Sequence, residues 1–182
     1  MSTQAHALVT PGDGTFDLET IALGDPGPDE VLVAIRASGV CHTDIDMLER
    51  KFPHVMGHEG AGEVVACGPG VENVAPGDRV VLNWAIPCGS CFQCRRGAEN
   101  ICETRPRVAP GRRTWNGKPI LPSFGIATMA THTLVPKQAV VKAEIAVPHE
   151  SACLLGCGVA TGFMSVTNAA KVRAGSTVVV LG

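Results

Sequence analysis

Four closely spaced cysteines restrict how the middle of this chain can fold. They follow a C-x2-C-x2-C-x7-C pattern at Cys88, Cys91, Cys94 and Cys102. Spacers of two residues turn the backbone under one ion, and four thiolates complete a tetrahedron around Zn²⁺. A bacterial iron–sulfur motif would end in C-x3-C-P, but here the last spacer has seven residues and Glu103 follows. The pattern predicts a structural zinc lobe over about residues 84–105, with four buried, reduced cysteines as the less favoured alternative.

A second set of candidate metal ligands is scattered along the chain. Cys41, His58 and Cys157 each lie in a glycine-rich context, where the backbone can come close to an ion. Two thiolates and one imidazole leave a coordination position open for water or substrate. The neighbouring acids Asp44 and Glu59 are candidates for orienting the imidazole. The alternatives are ordinary core residues for the first three and solvated surface charges for the two acids.

Composition excludes several classes of function. The formal net charge is −2, and no basic cluster suited to nucleic acid or a membrane surface is present. Residues 1–15 lack the basic and apolar regions of a signal peptide, and the longest apolar run, Val178–Leu181, is too short to span a bilayer. We therefore expect a cytoplasmic protein whose cysteines are reduced thiols and metal ligands. Cys67 and Cys153 fit neither metal group and are expected to be buried thiols.

Short alternating segments separated by Gly/Pro turns predict a mostly β domain with short helices. Strands are predicted at Ala5–Val9, Thr15–Thr20, Glu30–Ala37, Gly60–Gly68 and Arg79–Leu82. A short helix is predicted from His42 to Leu48. Several short strands punctuated by turns are typical of a barrel or a sandwich.

The pattern changes near residue 150. Gly158–Lys171 carries Ala, Met and Lys at helix-compatible spacing. Ser176–Leu181 is a continuous, largely β-branched run of the kind that is buried in parallel sheets. A helix that leads into a buried strand is typical of the opening of a βαβ unit. We therefore interpret residues 156–182 as the start of a second domain that is cut off at Gly182.

Several motifs together resemble one family, the zinc-dependent medium-chain alcohol dehydrogenases, near the class III and mycothiol-dependent formaldehyde dehydrogenase branch. The matching segments are the four-cysteine lobe, Gly39–Asp44, Gly57–Val64, Pro76–Val80 and Leu154–Gly162. The resemblance covers essentially the whole chain. It implies a GroES-like β-barrel catalytic domain over residues 1–155, followed over 156–182 by the first helix and strand of a Rossmann domain.

The resemblance also implies a reaction. Cys41, His58 and Cys157 would hold a catalytic zinc, with Glu59 as a neighbouring or alternative ligand, in addition to the structural zinc of the lobe. Such a zinc acts as a Lewis acid on a primary alcohol, which passes hydride to NAD⁺ and becomes an aldehyde, reversibly. Asp44 would accept a hydrogen bond from the ring of His58. Thr43 would pass the alcohol proton towards the cofactor, although a turn threonine bonded to its own backbone is the alternative.

Further positions match cofactor and substrate contacts. His42 matches a residue that contacts the pyrophosphate, and Thr161 matches one near the nicotinamide. The dinucleotide fingerprint would begin at Gly182, so the residue that separates NAD from NADP is not in this sequence. Trp84 and Phe124 match the substrate pocket, with plain core aromatics as the alternative. The full-length form is expected to be a homodimer or homotetramer.

Two departures from the family limit what carries over. Sixteen residues separate Cys41 from His58, a shorter loop than in the family's longer members, in which that stretch supplies an acidic contact to glutathione. A thiol-adduct substrate is therefore not implied. Asp46 stands where some relatives end the proton path with a histidine. Two other classes of function stay open: a non-catalytic, zinc-stabilised interaction module and a cysteine-based redox sensor.

Overall fold

The computed structural model describes residues 2–144 and 146–181, and strands dominate it. The strands are β1 (Thr3–Thr10), β2 (Asp17–Leu23), β3 (Glu30–Gly39), β4 (His54–Val55), β5 (Glu59–Cys67), β6 (Arg79–Leu82), β7 (Arg113–Trp115), β8 (Lys118–Pro119), β9 (Leu121–Pro122), β10 (His132–Pro136) and β11 (Val140–Lys142). The α-helices are α1 (His42–Leu48), α2 (Phe92–Arg95), α3 (His149–Ala152) and α4 (Gly158–Met164). Short 3₁₀ turns at Glu99–Ile101, Ser123–Gly125, Lys137–Ala139 and Cys153–Gly156 complete the regular structure, with a π-helical turn at Ser165–Ala169.

The strands form two sheets. One has the order β8-β7-β2-β1-β4-β9 and the other has the order β10-β3-β5-β6-β11. All pairs are antiparallel except β4 with β9. The longest pair, β3 with β5, runs from Val31 opposite Cys67 to Gly39 opposite Glu59. The end of this pair therefore brings the start of β5 beside the loop that enters α1.

Alternation along β3 and β10 builds two apolar cores. Val31 and Val33 of β3 belong to one buried cluster, whereas Leu32 belongs to the other. In β10, Val135 belongs to the same cluster as Val31 and Val33, and Leu134 belongs to the same cluster as Leu32. Successive side chains of a strand point to opposite faces, so both faces of these two strands are covered.

A short connection ties the two sheets together. The carbonyl of Met129 accepts a hydrogen bond from the amide of Leu8 in β1 at 2.9 Å, and the carbonyl of Thr131 accepts one from Ile35 in β3 at 2.9 Å. Ala130, between them, forms an isolated bridge with Ala7. This connection gives the strands a barrel-like arrangement, and the predicted mostly β fold class is confirmed.

Most predicted elements of the β domain are present with small shifts in their ends. Helix α1 and strand β6 have the predicted bounds. Strand β1 extends beyond the predicted segment at both ends, and β3 extends beyond it at its C-terminal end. The second strand begins at Asp17 rather than Thr15. Thr15 instead donates its amide and its hydroxyl to the carboxylate of Asp13, so the turn holds it outside the strand.

The C-terminal segment differs from the prediction. Helix α4 begins at Gly158 as expected but gives way to the π-helical turn at Ser165, and the predicted strand Ser176–Leu181 is not formed. A β-strand needs a hydrogen-bonded neighbour, and none of the described residues pairs with this segment. Leu181 is accordingly 91 % exposed. The division into domains at residue 155 stays a prediction, and Gly182 lies outside the described residues.

Membrane-spanning potential is limited to one composite segment. In the described part of the chain, no single helix has both the length and the apolar character needed to cross a bilayer. The helical segments His149–Gly156 and Gly158–Ala169 meet that criterion only when taken together, and they are bent by 55°.

Candidate metal centres

The four cysteines of the predicted zinc lobe converge on one point. Their Sγ atoms lie within 4.8 Å of one another. The Sγ atoms of Cys88 and Cys94 are 3.9 Å apart, as are those of Cys91 and Cys102. A tetrahedron with Zn–S bonds of about 2.3 Å has edges of about 3.8 Å. The four thiols therefore fit one Zn²⁺ with every coordination position filled by the protein.

Hydrogen bonds prepare Cys88 to carry a negative charge. Its Sγ accepts a hydrogen bond from the hydroxyl of Thr104 at 3.2 Å and from the amides of Ser90 and Cys91 at 3.4 and 3.3 Å. These donors, the Thr104 hydroxyl first, lower the pKa of Cys88 to about 5. A thiolate is the form that binds zinc, so the lobe presents a ligand that is already deprotonated at neutral pH.

The second set of possible ligands comes from three separate places in the chain. Cys41 is the N-cap of α1, Glu59 begins β5, and Cys157 is the N-cap of α4. His58 lies in the connection between β4 and β5. The possible ligand atoms of these four residues lie within 4.8 Å of one another. The structure thus brings together all four residues that the sequence assigns to a catalytic zinc.

The backbone before His58 is tightly constrained. Gly57 has a positive φ of 89°, and its carbonyl accepts a hydrogen bond from the amide of Thr128 at 3.0 Å. A Cβ atom at Gly57 would meet the side chain of Met129 at 2.6 Å, well inside van der Waals contact. Glycine is needed here for both the conformation and the close approach. The turn directs His58, which is only 2 % exposed, into the interior.

A buried carboxylate holds both Cys41 and His58. Asp44 Oδ2 accepts the Cys41 amide at 2.9 Å, which satisfies a free donor at the start of α1. Asp44 Oδ1 lies 3.1 Å from Nδ1 of His58. Since a carboxylate only accepts, Nδ1 carries the proton and Nε2 is left free to bind a metal. The hydrogen bond expected from the sequence is therefore present.

Acidic groups crowd this second centre and oppose one another's ionisation. Burial, followed by the neighbouring Glu59 and Cys41, raises the pKa of Cys157 to about 12. Burial acts against ionisation of Cys41 as well, but hydrogen bonds from Thr43 and the proximity of His58 outweigh it and lower the pKa of that thiol. Burial would also lower the pKa of His58, yet Asp44 and Cys41 raise it overall. A divalent cation would relieve this crowding of acidic ligands, so two thiols, one imidazole and one carboxylate fit Zn²⁺.

The remaining predicted cofactor and proton-transfer residues lie around this centre. Thr43 is half-buried in the first turn of α1, and its amide and hydroxyl are near enough to help lower the pKa of the Cys41 thiol. His42 is exposed at the start of the same helix. Thr161 is exposed on α4, where its amide donates to the carbonyl of Cys157 at 2.8 Å. Thr43 is thus adjacent to the metal ligands, and the other two residues face outward.

One aromatic residue contacts His58, and a second packs behind the first. The ring centroid of Phe124 is 4.8 Å from that of the imidazole, with the planes inclined at 45°. Trp84 meets Phe124 edge to face at 5.4 Å, and it also packs against the apolar core that contains Val31 and Val33. The assignment of Trp84 and Phe124 to a substrate pocket stays a prediction.

Two cavities flank the region. One, of about 490 Å³, is lined by Phe124, by Met47 of α1 and by the segment 105–111. The other, of about 520 Å³, lies between β6, β11 and the start of α4 and is lined mainly by apolar side chains such as Val81, Val141 and Leu155. Only the first cavity includes a residue that touches His58, so it is the better candidate for holding the organic part of a substrate.

Two contacts near these centres have no signal in the sequence, and the burial expected of one thiol is wrong. Nothing in the sequence indicates that the hydroxyl of Thr104 reaches back to Cys88. Nothing in it indicates that the guanidinium of Arg105 lies over the Trp84 ring at 5.6 Å. Cys153 is buried as expected. Cys67 is only partly buried, since it lies at the end of β5 where its thiol donates to the carbonyl of Val74.

Fold and site together define a zinc-binding β domain. Residues 27–148 match the family described as the alcohol dehydrogenase GroES-like domain, and the chain belongs to this family. The match covers the strands of both sheets from β3 onward, the four-cysteine lobe, Cys41 and His58. It supports zinc as the metal of the cysteine-rich centre.

Known proteins that are similar over the whole of this chain support the same family assignment. An S-(hydroxymethyl)glutathione dehydrogenase of Escherichia coli O1:K1 is 39% identical over 195 aligned positions, which cover 100% of this chain and 53% of that protein. An alcohol dehydrogenase zinc-binding domain protein from Burkholderia ambifaria superposes with a TM-score of 0.88 at 32% identity, over 97% of this chain and 52% of the other. Benzyl alcohol dehydrogenase from Acinetobacter calcoaceticus superposes with a TM-score of 0.82 at 34% identity, over 96% and 51%. The chain spans about half the length of the curated relatives it matches.

Proposed function

We propose that this chain is the zinc-binding catalytic part of an alcohol dehydrogenase that interconverts primary alcohols and aldehydes with NAD(P)⁺ as hydride acceptor. The convergence of Cys41, His58, Glu59 and Cys157 within 4.8 Å carries the proposal. The centre combines buried ligands with a neighbouring hydroxyl and an aromatic wall, which a purely structural site does not need. Two Zn²⁺ ions per chain are proposed, one at each centre.

Some residues of the second centre would bind the metal, and others would orient the residues that bind it. Cys41, His58 and Cys157 would hold the metal, with Glu59 close enough to replace or join them. When bound, Zn²⁺ supplies Lewis acidity that lowers the pKa of an alcohol hydroxyl. Asp44 keeps the His58 proton on Nδ1 and so leaves Nε2 directed at the metal position. Phe124 packs against the imidazole, with Trp84 against Phe124, and His58 is only 2 % exposed.

Thr43 is the residue that we assign to proton transfer. Its hydroxyl is adjacent to Cys41, and a hydroxyl can accept a proton while donating its own. It would take the proton that the alcohol releases and give up its own proton in the direction of solvent. His42 and Thr161 flank the centre on the exposed side and are proposed to contact the dinucleotide, as is Gly182.

The relatives suggest a substrate range to test. One relative is named for S-(hydroxymethyl)glutathione and one solved structure is a benzyl alcohol dehydrogenase. Both compounds carry a hydroxymethyl group on a larger group, which is a phenyl ring in one and the sulfur of glutathione in the other. The cavity of about 490 Å³ next to Phe124 is large enough for groups of this size.

The test combines metal analysis with steady-state kinetics. The proposal expects two zinc ions per chain, one of which responds to pyrazole, a ligand that competes with alcohols at an open zinc position. It also expects the full-length gene product, with the second domain that the sequence predicts, to reduce NAD⁺ or NADP⁺ with benzyl alcohol or S-(hydroxymethyl)glutathione. A single zinc ion that does not respond to pyrazole, with no turnover of either alcohol, would contradict it and favour a non-catalytic zinc module.

A further inference from the structure

The backbone of Phe124 adopts a conformation that bulky residues rarely take. Its φ is 49° and its ψ is 18°, inside the 3₁₀ turn Ser123–Gly125. The left-handed region suits glycine, and a phenylalanine there has no polar side chain to offset the cost through local hydrogen bonds. Such outliers persist when the surroundings require them, and they concentrate at functional sites.

The left-handed conformation places the ring where it touches a metal ligand. The Phe124 ring lies 4.8 Å from the imidazole of His58, centroid to centroid. On its other side, Trp84 packs edge to face at 5.4 Å, and Arg105 lies over Trp84 at 5.6 Å. His58 therefore stands at the inner end of a continuous stack that ends at an arginine.

The imidazole needs a second contact to be fixed. The hydrogen bond from Nδ1 to Asp44 locates one ring atom, but the ring plane can still swing about that bond. Only some of these orientations direct Nε2 towards Cys41 and Cys157. The Phe124 ring, inclined at 45° to the imidazole, occupies the space on one side into which the imidazole would swing, and Trp84 packs against Phe124.

We propose that Phe124 is a positioning residue for His58: its ring, held by the left-handed backbone, fixes the imidazole orientation in which Nε2 faces the metal position. The role goes beyond lining a substrate pocket. It rests on His58 being a metal ligand, as in the proposed function, but not on any reaction.

Four substitutions distinguish the effect of the Phe124 ring from the effect of the left-handed backbone conformation. Phe124→Gly removes the ring and accepts the left-handed φ, and Phe124→Leu replaces the ring with an aliphatic group. Phe124→Tyr keeps the ring. Ala127→Gly is the matched backbone control, because Ala127 has the same φ of 49° and is buried, but its side chain is a methyl group.

The readout is the rate at which the metal-loaded protein releases zinc to a chromogenic chelator, with the four-cysteine lobe as internal reference. We expect Phe124→Leu and Phe124→Gly to release the zinc held by His58 about 10–100-fold faster, the range seen when residues that orient metal ligands are lost. Phe124→Tyr and Ala127→Gly should release it at nearly the wild-type rate. With Co²⁺ in place of zinc, the visible spectrum should change only in the Leu and Gly variants.

The outcomes that overturn the proposal are distinct from failure of the proposed function. Unchanged release and an unchanged Co²⁺ spectrum in Phe124→Leu would overturn it, as would equal loss of zinc in Ala127→Gly. If Phe124→Gly loses zinc from the lobe as well, it has misfolded, and the Leu variant decides. A wild-type protein that retains two zinc ions but oxidises no alcohol would refute the dehydrogenase function and leave the role of Phe124 standing.

Discussion

Asp44 Oδ1 lies 3.1 Å from Nδ1 of His58, and each of the two residues is only 2 % exposed. The other carboxylate oxygen of Asp44 accepts the Cys41 amide at 2.9 Å. One side chain therefore positions two proposed ligands of the same metal, and it does so with two acceptor atoms. An asparagine has one acceptor oxygen, so it can accept only one of these two hydrogen bonds. Its NH2 group would then lie against another donor, either the Cys41 amide or the protonated Nδ1.

Both Asp44→Asn and Asp44→Ala should therefore weaken zinc binding at the second centre. We expect a loss of about 10–100-fold in affinity, because partners that orient ligands have effects of this size. Competition with a chelator of known affinity measures it. Asp46→Asn is the matched control, since Asp46 is an exposed carboxylate on the same helix. Equal affinity in Asp44→Asn and the wild type would show that the second acceptor atom is not needed.

Thr104 should slow zinc loss from the four-cysteine lobe. Its hydroxyl donates to Cys88 Sγ at 3.2 Å, and Thr104 is exposed, so the bond makes only a modest contribution. Thr104→Val should then release the lobe zinc roughly two- to tenfold faster, the change expected from loss of one such hydrogen bond. Thr104→Ser keeps the hydroxyl and should behave like the wild type.

The control site for this experiment is within the same molecule. Zinc bound by Cys41, His58 and Cys157 should be released at an unchanged rate in Thr104→Val, because Thr104 contacts only the lobe among the two sets of ligands. A faster release from both centres would indicate general destabilisation and would contradict a specific hydrogen bond to Cys88.

Local sequence patterns were sufficient to predict the elements that flank the site. Helix α1 lies where a polar segment follows Cys41, and β6 lies where a β-branched run follows the Pro76–Asp78 turn. Both depend on residues close in sequence. The four-cysteine lobe is similar, because its ligands are separated by short spacers that permit few geometries.

Contacts between distant segments could not be predicted in this way. The order of strands in the two sheets depends on packing between segments far apart in the chain. The contact of Phe124 with His58 depends on a left-handed backbone angle that the sequence does not indicate. Ser176–Leu181 has the composition of a buried strand, but a strand forms only beside a partner, and composition does not supply one.

Gly57 should be among the least substitutable residues of the chain. In Gly57→Ala, the left-handed φ costs about 1–2 kcal/mol, and the contact with Met129 adds about 1–3 kcal/mol for overpacking. We therefore expect the free energy of unfolding to fall by at least about 2 kcal/mol. Denaturant titration of the zinc-loaded protein measures this change.

Gly117→Ala separates the two contributions to that loss. Gly117 has a positive φ of 73°, but nothing lies within 4 Å of a Cβ atom there. Its substitution should cost only the conformational term of about 1–2 kcal/mol. If the free energy of unfolding falls equally in the two variants, the close approach of Gly57 to the 128–129 backbone does not add to the cost of the substitution.

Thr43 provides the most direct test of the chemistry. Thr43→Val keeps the shape of the side chain but removes the hydroxyl next to Cys41. If the hydroxyl carries the alcohol proton, kcat should fall by about 10²–10⁴-fold, the usual contribution of a positioned proton-transfer group. The zinc content should stay at the wild-type value, since Thr43 is not one of the proposed ligands. Thr43→Ser should recover most of the activity because it restores the hydroxyl. A normal kcat in Thr43→Val would show that the hydroxyl does not carry the proton and that Thr43 only supports Cys41. Loss of zinc from Thr43→Val would show that Thr43 stabilises the metal centre and does not transfer the proton.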